Sequence, residues 1–148
     1  LVRLAEIEAQ YRMPPHNVEA EQALLGAILV NNDAYFRVSD FLEPSHFSEE
    51  IHRRIYDILQ QLIRAGKLAT PVTLKSFVGD QDLGGLTVPQ YLARLVAEAT
   101  SVINAEAYGR TVYDLAMRRQ LINIGEDMVN CDPEVKNISH YLYLIFRG

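Results

Sequence analysis

Apolar residues recur at helical spacing along most of the chain, in segments separated by short polar turns. The first such segment has Leu24, Leu25, Ile28 and Leu29 on one face. Asn17 precedes it as a predicted N-cap, and Asn31-Asn32-Asp33 ends it with a polar turn. Gly26 is unfavourable within a helix, so we expect a close packing partner there.

The clearest predicted helix follows Ser48, which we expect to be its N-cap, and ends at a C-terminal glycine, Gly66. At about 100° per residue, its apolar stripe comprises Ile51, Ile55, Ile58, Leu59 and Leu62. Three shorter helices are also predicted. One runs through Tyr35, Val38 and Phe41, one is capped by Thr73, and one carries Tyr91 and Leu92 after the Gly84-Gly85 turn.

A single long helix is predicted from about Asn104 to Asn130, because no proline interrupts that segment. Its second half is apolar on two opposite sides. One side holds Tyr108, Val112, Leu115, Ile122 and Val129, and the other holds Met117, Leu121, Ile124 and Met128. The first side can pack on the preceding helices, whereas the second needs another partner, either the tail of the chain or another subunit.

Asp132-Pro133 is expected to end the long helix. The tail from Asn137 to Arg147 has helical apolar spacing, but its six consecutive apolar residues also suit a buried strand or an irregular segment. No repeat or strand-like alternation occurs elsewhere. The predicted fold class is therefore all-α, with an N-terminal arm at 1–13 and a small helical globular bundle at 14–103. Residues 104–148 are predicted to hold the long helix, which starts a helical hairpin, and a C-terminal hairpin arm or tail.

Composition favours an ordinary soluble domain, which we expect to be cytoplasmic. Hydrophobic residues make up 49% of the 148 residues and charged residues 22%. No apolar run is long enough for a membrane span, and the single cysteine, Cys131, cannot form an internal disulfide. The formal charge of -5 argues against a domain that holds DNA through phosphate contacts.

The sequence offers no catalytic or cofactor-binding constellation. Gly84-Gly85 is followed by Leu86 and Thr87, without the lysine of a phosphate-binding loop. His46 and His52 match no zinc motif, so we interpret them as structural, with His52 on the helix surface near Arg53. Asp80 and Asp82 are interpreted as turn residues. We expect no catalytic residue, no metal and no cofactor in this segment.

Two basic pairs are candidates for partner contacts, although a solvated helix face is the simpler interpretation of each. Arg118-Arg119 is the better candidate than Arg53-Arg54, because it borders the second apolar side of the long helix. The predicted interface therefore comprises Met117, Arg118, Arg119, Leu121, Ile124 and Met128.

The motif PPHNVEAEQALLG at 14–26 closely resembles the opening of the N-terminal domain of DnaB-family replicative helicases. The similarity continues at matching spacing through Phe47, His52-Arg53-Arg54-Ile55-Tyr56, Leu62, Gly66, Thr73-Leu74, Gly84-Gly85, Tyr91-Leu92, Asn104, Tyr108 and Arg119.

This resemblance implies a scaffolding role in DNA replication. Such domains pair through a helical hairpin, build a collar on a hexameric helicase, and communicate with primase and the helicase loader. It also implies that ATP, Mg and DNA are handled by a separate motor domain, which we expect outside this sequence. Residues 135–148 are atypical, because they lack the charge-rich second arm of such a hairpin.

A DNA-binding helical module is the alternative from another class. The short helix capped by Thr73 would then be the recognition helix, with Lys75 as its cation. An unfamiliar enzyme ranks below it, since that would require convergent polar groups that the sequence does not reveal.

Overall fold

The computed structural model describes residues 14–99 and 104–130, and every regular element in those residues is helical. The all-α prediction is confirmed. Five α-helices are described: α1 (Val18–Val30), α2 (Glu50–Arg64), α3 (Pro71–Val78), α4 (Val88–Glu98) and α5 (Ala105–Asn130). Two 3-10 helices, Asn32–Arg37 and Pro44–His46, connect α1 to α2. Cys131, the predicted break at Asp132-Pro133 and the tail lie outside the described residues.

The chain divides into two compact units. One unit spans His16–Ala116 and holds α1 to α4 and the first half of α5. The described residues of the other unit are 14–15 and 117–130, so it includes the second half of α5.

Side-chain caps define where the helices begin. Asn17 caps α1 as predicted, because its side chain accepts a hydrogen bond of 3.0 Å from the Ala20 N–H. The predicted Thr73 cap is wrong: Thr70 is the N-cap of α3, and Thr73 is its reciprocal partner in a capping box. Pro71 explains the earlier start, since a proline is well tolerated in the first turn of a helix.

The predicted start of α2 and the predicted second helix also need correction. Glu49, without a side-chain cap bond, is the N-cap of α2, because the hydroxyl of Ser48 donates instead to a carboxylate of α1. The segment through Tyr35 forms a 3-10 helix that ends at Arg37, before Val38 and Phe41. Helices of the 3-10 type are frequent as connectors between α-helices.

The core lies among α1, α2, α3 and α4. Its fully buried large side chains come from these helices and from the connection between α1 and α2; they include Leu24, Ile28, Tyr35, Leu42, Phe47, Ile55, Tyr56, Leu59, Leu74 and Leu92. The buried stripe of α2 is rotated from the predicted one toward His52, Tyr56 and Ile63, while Ile51, Ile58 and Leu62 are partly exposed. Gly66, with a φ of 72°, follows the end of α2 as predicted.

Gly26 marks a close approach of α1 to α4. A Cβ at this position would lie 2.3 Å from the Leu95 carbonyl oxygen and 2.8 Å from the Ala99 Cβ. The expected close packing partner is therefore found, and the missing side chain lets the two helices pack backbone to backbone.

Small residues form the buried face of α5, contrary to prediction. Ala105, Gly109, Val112 and Ala116 are buried, at i, i+4, i+7 and i+11 spacing. A Cβ on Gly109 would lie 2.5 Å from Val38 Cγ1, so this contact is too close for a large side chain. Of the apolar side predicted to pack inward, Val112 is buried, whereas Tyr108, Ile122 and Val129 are exposed.

Candidate interaction surface

The predicted interface residues lie along the second half of α5. Leu121 is 52% exposed. Met117, Ile124 and Met128 follow the same helical face and are each half-buried. On the neighbouring face, Ile122 and Val129 are also exposed. Large apolar side chains are therefore available to a partner on more than one face of this helix.

The two arginines of this segment differ in their surroundings. Arg119 is half-buried, and its guanidinium donates a hydrogen bond of 2.8 Å to the Pro15 carbonyl oxygen. This bond ties α5 to residues before α1. Arg118 is exposed and adjoins the apolar face, where a polar rim of an interface is expected.

A buried carboxylate, Glu21, connects α1 to the start of α2. Its side chain is 2% exposed. The Ser48 N–H donates to both carboxylate oxygens at 3.1 Å, and the Ser48 hydroxyl donates to Oε2. His52 Nδ1 lies 3.0 Å from Oε1. A buried charge requires such compensation, so these bonds hold the entry to α2 against α1.

The same network extends to α4 through His52 and Tyr91. His52 Nε2 lies 2.6 Å from the Tyr91 hydroxyl, which accepts a bond of 3.2 Å from Gln22 Nε2. The hydroxyl can therefore donate to Nε2 while Nδ1–H donates to the Glu21 carboxylate. Within the described residues, no fully buried side-chain nitrogen or oxygen lacks a hydrogen-bond partner.

The prediction that His52 lies on the helix surface is wrong, since its side chain is fully buried. A signal was present: His52 lies three and four residues before Ile55 and Tyr56, on the face that packs into the core. Arg53 is also structural, because its guanidinium donates to the carbonyls of Phe47 and Ser48, each at 2.9 Å.

Burial acts to raise the pKa of Glu21, but hydrogen bonds from His52 and Ser48 outweigh it and leave the pKa below its ordinary value. Burial raises the pKa of the Tyr91 phenol. The surroundings therefore favour the ionised carboxylate of Glu21 and the neutral phenol of Tyr91.

This shift predicts a specific acid sensitivity. Because the pKa of Glu21 is lower in the folded chain, its ionisation stabilises the fold above the ordinary value of 4.5, and this contribution is lost as the pH falls through the folded-state pKa. Urea unfolding across that pH range measures the free energy of unfolding of the natural chain and of Glu21→Gln. The difference between the two free energies should become smaller as the pH falls. A difference that stays constant with pH would contradict the prediction.

The remaining polar candidates belong to local structure. His46 Nδ1 accepts a bond of 3.0 Å from the Glu43 N–H, and Asp82 accepts one of 2.8 Å from the Gly85 N–H. The described residues contain no group of three or more His, Cys, Asp or Glu side chains placed to hold a metal ion.

None of the described helices combines the length and apolar character needed to cross a membrane.

The solved structures show the class of protein to which this fold belongs. The N-terminal domain of the DnaB helicase from Mycobacterium tuberculosis superposes with a TM-score of 0.74 and 27% identity, over 91% of this chain and 96% of that one. A DnaB-like replicative helicase, from a structure that also describes its interactions with primase, matches with a TM-score of 0.68 and 31% identity, over 87% of this chain and 31% of that one.

Sequence comparison gives the family directly. Residues 13–114 match the model of the DnaB-like helicase N-terminal domain, so the chain belongs to that family. The replicative DNA helicase DnaB of Rickettsia typhi is 46% identical over 123 residues, which cover 80% of this chain and 24% of that protein. The corresponding helicase of a Nostoc species is 36% identical, over 84% of this chain and 14% of that protein. The chain thus spans about a quarter or less of these relatives.

Proposed function

We propose that this chain is a non-catalytic scaffolding domain that joins helicase subunits and docks a replication partner. The observation that carries the proposal is the partly exposed apolar face on the second half of α5, which comprises exposed Leu121 and half-buried Met117, Ile124 and Met128. Leaving such a surface in water is unfavourable, and a second copy of the chain would bury it. Arg118 and Arg119 would lie at its rim.

The proposed partners are a second copy within a dimer or hexameric collar, primase, and a helicase loader. Primase is supported by the similar helicase whose structure describes interactions with primase. ATP hydrolysis and DNA translocation would belong to a motor domain in the parent helicase, with ATP and Mg bound there. We propose no cofactor for this segment.

The DNA-binding alternative is less favoured. Helix α3 would have to be the recognition helix, yet it has eight residues, and Leu74 and Val78 face the core. Lys75 is its single basic residue, which gives a weak basis for phosphate or base contacts.

The test is the molar mass by light scattering across a concentration series. The natural chain should associate, and Leu121→Gln with Ile124→Gln should remain monomeric with unchanged far-UV circular dichroism, because polar side chains would have to be desolvated at the contact. Val30→Gln is the matched control, since Val30 is 53% exposed at the end of α1 and Leu121 is 52% exposed. A natural chain that stays monomeric, or a double variant that associates normally, would refute the proposed interface.

A further inference from the structure

A second candidate binding surface lies between α2 and α3. These helices border a surface groove of about 230 Å³. Its lining residues are Ile58, Gln61, Leu62, Ala65, Lys67 and Phe77. All of them belong to the unit that spans His16–Ala116.

One exposed aromatic side chain lines this groove: Phe77 is 59% exposed. Leu68, between α2 and α3, and Val72, in the first turn of α3, are also exposed, at 67% and 71%. A large apolar side chain that is exposed in a groove can serve as a contact for a partner.

The charge near the groove is opposite to that of the whole chain. From Glu50 to Val78, the span of α2, α3 and the turn between them, the chain contains five basic side chains and two acidic ones, although its formal charge is -5. Lys67 lines the groove, and an Arg54 guanidinium nitrogen would lie 3.7 Å from a Cβ added at Gly79, just after α3. One of the two carboxylates, Asp57, accepts hydrogen bonds from Gln60 and Gln61.

We propose that the α2–α3 groove binds an amphipathic helix of a partner protein, whose apolar face is flanked by aspartate or glutamate. A groove between two helices suits a helix that inserts apolar side chains at i, i+3, i+4 and i+7 spacing. Phe77, Leu62 and Ile58 would receive those side chains. Arg54 and Lys67 would attract the flanking carboxylates, which confers selectivity as well as faster association.

A protein partner is favoured over a nucleic acid because two of the five cations already donate hydrogen bonds within the chain. Arg53 donates to two backbone carbonyls, and Arg64 donates to the Tyr35 hydroxyl at 2.8 Å. The apolar side chains of the groove would contribute little to the binding of a phosphate backbone. They match a helix that has one apolar face flanked by acidic residues.

The probe is a fluorescein-labelled peptide of about 14 residues, with leucines at i, i+3, i+4 and i+7 spacing and glutamates at most other positions. Its anisotropy is titrated with the intact chain. Phe77→Ser and Lys67→Glu should each weaken binding about tenfold or more. Phe36→Ser and Arg37→Glu are matched controls that should bind normally, since Phe36 is 62% exposed and adjoins a basic residue away from the groove.

A second peptide with lysines in place of the glutamates should bind about tenfold more weakly, because it would meet like charges at the groove. The proposal would be overturned if the acidic peptide did not bind, or if both peptides bound equally well. It would also be overturned if the control variants lost as much affinity for the acidic peptide as Phe77→Ser and Lys67→Glu. Lys67-dependent binding of duplex DNA or phosphatidylglycerol vesicles without peptide binding would overturn it in favour of those ligands. Lys67 is exposed, so its substitution tests the groove even if Phe77→Ser unfolds.

Discussion

Replacing Glu21 with alanine is expected to lower the free energy of unfolding by about 3–5 kcal/mol, because it leaves a buried polar network without its acceptor. The N–H and hydroxyl of Ser48 and the Nδ1–H of His52 would all lose their carboxylate partner. Chemical denaturation followed by circular dichroism measures this loss. Glu21→Gln, which retains an acceptor oxygen, should lose less.

Glu19→Ala is the matched control for Glu21→Ala. Both residues lie in the first turn of α1, where an acidic side chain complements the helix dipole, but Glu19 is exposed. Its loss should be about 1 kcal/mol or less. Similar losses for the two variants would mean that the dipole, and not the link from α1 to Ser48 and His52, explains the role of Glu21.

Gly26→Ala is expected to destabilise the fold by about 1–3 kcal/mol, despite the better helix propensity of alanine. The added Cβ would lie 2.3 Å from the Leu95 carbonyl oxygen, so α1 and α4 would have to separate. The Leu95 oxygen belongs to the backbone and cannot move aside by a rotamer change. Thermal unfolding, with denaturant melts for the free energy, measures the effect.

Gly125→Ala provides the control of opposite sign. Gly125 is within α5, and a Cβ there meets nothing within 4 Å. Alanine should therefore stabilise the helix by about 0.5–1 kcal/mol through propensity alone. If Gly26→Ala also stabilises the chain, the close approach of α1 and α4 at Gly26 is not a tight contact.

The buried network was missed by sequence reasoning because its members are far apart along the chain. Glu21 is 27 residues from Ser48 and 31 from His52, and His52 is 39 from Tyr91. Taken alone, Glu21 is a dipole-complementing residue, Ser48 a helix cap and His52 a surface histidine. Each of these local roles is common, so no local pattern distinguishes them from a shared site.

Local sequence by itself determined the all-α class, the Asn17 cap, the glycine that follows α2 and the approximate course of α5. These features depend on propensity, periodicity and hydrogen bonds between neighbours, which the order of residues encodes directly. The tertiary structure alone decided the small-residue face of α5, the burial of Glu21 and His52, and the α2–α3 groove. Those depend on which helices approach each other and how closely, and close approach favours small residues, such as Gly26 and Gly109, that do not stand out in an apolar pattern.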